Sequence, residues 1–336
     1  MHHAKRIAIT AAIALTFGTS AMQARAADKI TIMVGGINKI IYLPAKLTEQ
    51  LGYFKDEGLD VELMSEPAGV NAENEMLAGA VQGVVGFYDH TIDLQSKGKG
   101  AMSVVQLAQV PGEVELVAAK EAATLKSPAD FRGKTLGVTG LGSSTDFLTQ
   151  YMAAKSGLKQ GDYSLLPVGA GQTFIAAVQQ GRIDAGMTTD PTVAQMLSAG
   201  QAKVLVDLRT VAGTRAALGG LYPAASLYMP NAWVAAHHDE VAKVARAFVR
   251  TLRYMHTHSA EDIADKMPRD YYGGNKPLYV AALKASLPMF TPDGRMPADG
   301  PGTVLKVLST FKPTVRNAHI DLARTYTTSF VAAAAK

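Results

Sequence analysis

The strongest constraint on this chain is an alternation of short β-rich runs with amphipathic helices, where the runs close on glycines or hydroxyl-bearing turns. A β-rich run at 29–34 ends at Gly35-Gly36, where a chain can turn sharply. A helix from about Pro44 follows, and residues 59–64 alternate polar and apolar as a second strand does. A helix over 72–81, a strand over 84–87 and another over 102–107 repeat the unit. Strands and helices in alternation predict a mostly parallel sheet with both faces covered. A second set begins after 114–119. It opens with Ser127-Pro128-Ala129-Asp130, where Ser can cap a helix and Pro fits its first position. A strand at 135–138, a helix at 146–155, a helix at 174–180, a strand at 183–187, a helix at 191–199 and a strand at 203–208 complete it.

After one more strand at 226–229 the chain turns helical. In 239–258, Val241, Val244, Ala245, Phe248, Leu252 and Met255 recur at spacings of three and four, forming one apolar stripe. The last hundred residues hold too few strands for a domain, so they are expected to return and cover the first sheet. The predicted architecture is α/β with two lobes: 27–113 plus 225–336 form the first, and 114–224 the second. The chain crosses between them near 114–119 and again near 219–225. Two hinge crossings framing one cleft make a clamshell, which closes around ligands.

The N-terminus reads as a signal peptide over 1–26. Lys5 and Arg6 precede an apolar stretch from Ile7 to Phe17, and Ala24-Arg25-Ala26 offers a cleavage site before Ala27. The apolar stretch falls short of the roughly 20 residues a membrane-spanning helix needs. The formal charge of +4 includes Lys5, Arg6 and Arg25, so 4 − 3 leaves about +1 for the mature protein. That is too little for a nucleic-acid footprint. No cysteine is present, which excludes disulfides, thiolate nucleophiles, Cys-based zinc sites and a lipidated N-terminal Cys. The expected product is a free, monomeric periplasmic protein.

Leu51-Gly52-Tyr53-Phe54-Lys55-Asp56-Glu57-Gly58-Leu59-Asp60-Val61-Glu62 resembles a signature of the ABC-transporter solute-binding proteins for nitrate, sulfonates, taurine and thiamine-precursor pyrimidines. Asp130-Phe131-Arg132-Gly133-Lys134-Thr135-Leu136-Gly137-Val138 and Gly181-Arg182-Ile183-Asp184-Ala185-Gly186, with Asp190-Pro191, are similar to further segments of that family. The resemblance spans about 30–208. It implies the type II periplasmic-binding fold, two doubly wound sheets joined by two crossings. It also implies a small-molecule ligand and, as partners, an ABC permease and ATPase; it does not carry the ligand's identity.

Candidate ligand contacts lie beyond the carboxyl ends of the predicted strands. Gly142-Ser143-Ser144-Thr145 meets a helix start, where backbone N–H groups and hydroxyls favour an anion. Capping of that helix by Ser144 or Thr145 is the competing reading and uses the same donors. Tyr88-Asp89-His90 follows the third strand, so Tyr88 could stack on a ring and His90 could donate to an oxyanion; a loop that merely packs is the rival. Asn38 and Tyr42 occupy the equivalent place after the first strand. Thr188 and Asp190 end a strand of the second set, although Asp before Pro191 is also what a helix cap looks like. Tyr222, near the second crossing, could close over a ligand or support the hinge. Together these suit a small anionic organic molecule, with no cofactor and no metal.

Enzyme motifs fail one by one. Gly133-Lys134-Thr135 has Pro128 where a phosphate loop requires Gly, and Gly140-Leu141-Gly142 is followed by Thr145 rather than a third glycine. His237-His238-Asp239-Glu240 places neighbours on different helix faces, with no third metal ligand suitably spaced. The eukaryotic pyrimidine synthases that resemble this family look to a cysteine-rich motif, which this chain lacks. The expectation is therefore a binding protein rather than an enzyme. The alternatives are a dehydratase or lyase on the same clamshell, and a receptor that presents ligand to a sensor kinase.

Overall fold

The computed structural model describes residues 28–334, so the signal segment and its cleavage site lie outside the described residues. In chain order the first elements are β1 (Asp28–Val34), α1 (Leu43–Gln50), α2 (Tyr53–Asp56), β2 (Leu59–Ser65), α3 (Gly69–Leu77), β3 (Gly83–Phe87), α4 (Asp89–Ser96) and β4 (Ala101–Gln106). Next come β5 (Glu113–Ala118), β6 (Thr135–Val138), α5 (Ser144–Lys155), β7 (Ser164–Pro167), α6 (Gln172–Gln179), β8 (Ala185–Thr189), α7 (Thr192–Ser198), β9 (Ala202–Asp207) and α8 (Val211–Leu218). β10 (Ala225–Pro230) precedes the helices α9 (Asn231–Ala236), α10 (His238–Thr257), α11 (Ala260–Lys266), α12 (Lys276–Ser286), α13 (Gly300–Phe311), α14 (Pro313–Arg316) and α15 (Ser329–Ala334). No helix of the described residues is long and apolar enough to cross a membrane.

The strands form two five-stranded sheets, ordered β2-β1-β3-β10-β4 and β7-β6-β8-β5-β9. In each, four parallel strands come from consecutive β/α units, and one antiparallel strand is inserted between the third and the fourth. β10, arriving just after the return crossing, fills that slot in the first sheet; β5, arriving just after the outgoing crossing, fills it in the second. The whole of β5 thus belongs to the second sheet, and the first crossing runs through 107–112, a little before the expected position. β3 and β5 are buried along their full length. For β3 that burial explains an apolar run without a polar residue. Where β6 meets β8, a Cβ on Gly186 would lie 2.7 Å from the carbonyl oxygen of Gly137, a backbone atom that cannot yield.

The predicted stripe of α10 is buried, and Phe248 meets Phe54 edge-to-face at 5.5 Å. The helix packs on α1, α2 and the first sheet. The later helices do more than was expected of them. α13 also packs on α5 of the second unit, with Phe311 6.1 Å from Phe147 and the Lys312 ammonium 4.0 Å from the same ring. α12 reaches α7. The C-terminal third therefore straddles both units, because α13 packs against α4 of the first and α5 of the second.

Candidate functional site

Both crossings lie at carboxyl edges. Ala225 opens β10 opposite Phe87, the last residue of β3, and Glu113 opens β5 opposite Thr189, the last residue of β8. The loops after β1, β3, β6 and β8 and the starts of β5 and β10 therefore meet between the sheets, at the edge where open α/β sheets hold ligands.

His90 is the second residue of α4 and is buried. Its Nδ1 lies 2.7 Å from Glu73 Oε2, while its Nε2 has no hydrogen-bond partner. Gly69, the first residue of α3, leaves room for the ring: a Cβ there would stand 3.0 Å from Nε2. Burial disfavours the charged ring, but Glu73, Asp89 and Asp93 outweigh it and raise the His90 pKa above its ordinary value. The ring is thus suited to donating from Nε2 to an anion.

The three hydroxyls after β6 have three different fates. Ser143 Oγ is buried without a partner. The Ser144 hydroxyl donates to Glu113 Oε1 at 2.7 Å. Thr145 Oγ1 accepts from the Thr139 N–H at 3.0 Å and so fixes the loop. Neither Ser144 nor Thr145 is spent on capping α5, and only Ser143 keeps a free hydroxyl.

The acids are the part the motifs did not reveal. Burial pushes Glu113 up to about 8, against the Ser144 hydrogen bond, and its Oε2 is unpartnered. Asp89 is also raised by burial; Oδ2 accepts from the Tyr222 hydroxyl at 2.8 Å and Oδ1 is unpartnered. Tyr42 packs edge-on to Phe87 at 6.3 Å, its phenol held well above the usual range by burial and then by Glu113 and Asp89. Thr188 is buried on β8 with Oγ1 unpartnered. Lys39 is buried too; its ammonium donates to the carbonyls of Gly35 at 2.7 Å and Pro67 at 3.0 Å, and burial lowers its pKa to about 8. The signal for the acids was present in Glu113-Val114-Glu115: acid, apolar, acid inside an otherwise apolar run sets two carboxyls on one face of a buried strand.

Beside this cluster lies an open cleft of about 470 Å³, lined by Asn38, Lys39, Pro67, Gly171, Thr192 and Tyr271, among others. Asn38 is thus at the cleft's mouth rather than in the buried cluster. Two expected contacts sit elsewhere. Tyr88 points away from the cleft, with its hydroxyl 2.6 Å from Thr325 Oγ1 and its ring edge-on to Tyr326, because the residue just before α4 faces the C-terminal segment. Asp190 accepts from Arg209 Nη1 at 3.1 Å, the Ala194 N–H at 3.0 Å and the Ser286 hydroxyl at 3.3 Å, so its carboxylate is committed to the protein. It acts as the cap that its position before Pro191 also suggested.

Two matching sheets with polar groups gathered between their carboxyl edges define an α/β protein of the periplasmic-binding-protein fold. A family profile described as NMT1/THI5 like matches residues 42–262, and the chain belongs to that family. A solved structure of a protein from Bordetella bronchiseptica RB50 is 36% identical with a TM-score of 0.88, covering 93% of this chain and 97% of that one. The alkanesulfonate-binding protein SsuA from Xanthomonas axonopodis pv. citri, solved bound to MOPS, shares the fold at 18% identity, with a TM-score of 0.70 over 91% of this chain and 100% of that one. A curated relative from Aspergillus parasiticus, 29% identical over 72% of this chain and 71% of its own length, is named 4-amino-5-hydroxymethyl-2-methylpyrimidine phosphate synthase. That name is an enzyme's, and it overturns the expectation that this chain is not one. Failed nucleotide-loop and metal-ligand motifs carry no weight against acid/base chemistry, which needs only titratable groups in a cleft.

Proposed function

We propose that this chain is the extracytoplasmic substrate-binding component of an ABC-type importer, capturing a small anionic organic molecule between its lobes, 27–113 plus 225–336 and 114–224. The observation that carries the reading is the set of buried, unpartnered polar atoms between the carboxyl edges: His90 Nε2, Ser143 Oγ, Thr188 Oγ1, Asp89 Oδ1 and Glu113 Oε2. Buried polar groups in native proteins are nearly always satisfied, so these atoms mark where a ligand's partners belong. His90 and Ser143 receive the anionic group. After export and removal of 1–26, the loaded protein docks on a permease driven by an ATPase.

Native mass spectrometry of gently purified protein is expected to show a retained small molecule. Adding that molecule to stripped protein should reduce the radius of gyration in small-angle scattering, because a ligand held by the closed state shifts the population toward closure. Tight binding with an unchanged radius would reject lobe closure. A second reading, catalysis in the same cleft, is favoured by the synthase name of the relative and by Glu113, half protonated near pH 8. Conversion of the retained molecule on incubation with the protein supports it; recovery of the molecule unchanged opposes it.

A further inference from the structure

His90 stands on α4, beside the first sheet, and Ser143 follows β6 of the second, so the gap between these two side chains depends on where the two units stop approaching each other. The walls that carry them meet at Gly140 and Ala68, both buried. A Cβ on Gly140 would stand 2.9 Å from the Ala68 Cβ, closer than two carbons pack, and 3.4 Å from Val70 Cγ1. Gly140 is not in the left-handed region, so its backbone alone does not call for glycine; the closeness of Ala68 does. Both walls are braced. After β6, the Ser143 N–H donates to the Gly140 carbonyl at 3.1 Å, the Gly142 N–H to Asp146 Oδ2 at 2.7 Å and the Thr139 N–H to Thr145 Oγ1 at 3.0 Å. Facing them, the Lys39 ammonium ties the Pro67 carbonyl to that of Gly35, and a Cβ on Gly35 would lie 2.9 Å from the Cα of Gly69, so the start of α3 has no room to retreat.

We propose that Gly140 and Ala68 are the stop that fixes the gap between Ser143 and His90, and so are positioning residues that set the size of group the cleft can hold. The inference rests on ligand capture between the lobes. The two unpartnered atoms hang directly on the walls of the stop: Ser143 Oγ is 3.1 Å from where a Gly140 Cβ would be, and His90 Nε2 is 3.0 Å from where a Gly69 Cβ would be. A methyl at position 140 would meet the one at position 68 about 1 Å inside ordinary carbon–carbon contact. With both walls braced, the gap itself must widen by a similar amount, which stretches a hydrogen bond of about 2.9 Å beyond its working range. A molecule bridging Ser143 and His90 then keeps one of the two contacts and loses the other.

The test moves one methyl across the contact. The probe is the molecule retained by gently purified wild-type protein, released by denaturation, identified by mass and titrated calorimetrically into stripped variants. Gly140→Ala is expected to weaken its binding about tenfold, as for one lost hydrogen bond to a charged partner. Adding Ala68→Gly, which removes the opposing methyl from an extended residue that tolerates glycine, should restore most of that loss. A disturbance of Ser143 alone would not be repaired from position 68. If Gly140→Ala melts too early to titrate, Ala68→Val puts the bulk on the other wall and should weaken binding likewise. Because the chain has no cysteine of its own, Ala68→Cys combined with Gly140→Cys should also form a single crosslink on mild oxidation, read by intact mass and loss of free thiols. Wild-type affinity in Gly140→Ala, or in Ala68→Val where that replaces it, overturns the inference and leaves capture standing. So does a loss that Ala68→Gly fails to repair, or a folded double-cysteine variant that does not crosslink. A wild-type protein that retains nothing removes capture and this inference together, and a crosslink then marks only a packing contact.

Discussion

At the scale of single residues, the buried acids make stability depend on pH. Glu115 is fully buried with one donor, and burial raises its pKa from 4.5 to about 8. The folded state therefore holds this proton more tightly than the unfolded state. Its contribution to stability is complete below about pH 4.5 and declines as pH rises toward 8, by about 1.4 kcal/mol per unit for one such group. Glu115→Gln keeps the shape without the charge. Its melting temperature is expected to exceed the wild type's by a margin that widens between pH 6 and pH 8; a constant margin would refute the assignment. Tyr88→Phe should cost about 1 kcal/mol in denaturant unfolding, through loss of the Thr325 hydrogen bond. It should leave ligand affinity unchanged, since that hydroxyl faces away from the cleft. The residues themselves show why part of the site was legible and part was not. His90, Ser143 and Tyr42 follow strands, and position after a strand can be read from a sequence. Tyr88 is two positions from His90, and only the orientation of the start of α4 sends the two side chains to different places. Glu73 lies mid-helix with nothing local to mark it as the partner of His90.

Elements were readable in proportion to the length and regularity of their apolar pattern. α10, with six stripe residues over twenty positions, was found within a residue of each end. Phe248→Ala removes a wholly buried ring that meets Phe54, and is expected to cost about 3–5 kcal/mol in denaturant unfolding. β7 left no trace to read, being four half-exposed edge residues that end in a proline. Asp89, His90, Thr91 and Asp93 give α4 a polar look that hides it from any reading by apolar pattern, yet all four are buried. The strand expected at 183–187 forms two residues later, as β8. Its threonines are bound into the sheet opposite Glu113 and Val114, a tertiary pairing that overrides their weak local pattern.

For the whole molecule, alternation predicted two parallel sheets but not the antiparallel strand that each crossing delivers, since strand direction is set by topology and not by composition. That delivery has a consequence for the order of assembly. Every strand of the second sheet lies within the unbroken stretch 113–207, whereas the first sheet waits for β10, more than a hundred residues after β4. In refolding followed by pulsed hydrogen exchange, the amides of Leu116 and Val117 should be protected before those of Val84 and Val85, because shorter loops close at lower entropic cost. Simultaneous protection would show that the sheets fold as one unit. During synthesis at the ribosome, β3 and β4 emerge long before the strand that will separate them. Until β10 arrives, β3 is a bare apolar edge open to pairing with any other chain, so the nascent protein is most in need of a chaperone between the appearance of Phe87 and that of Pro230.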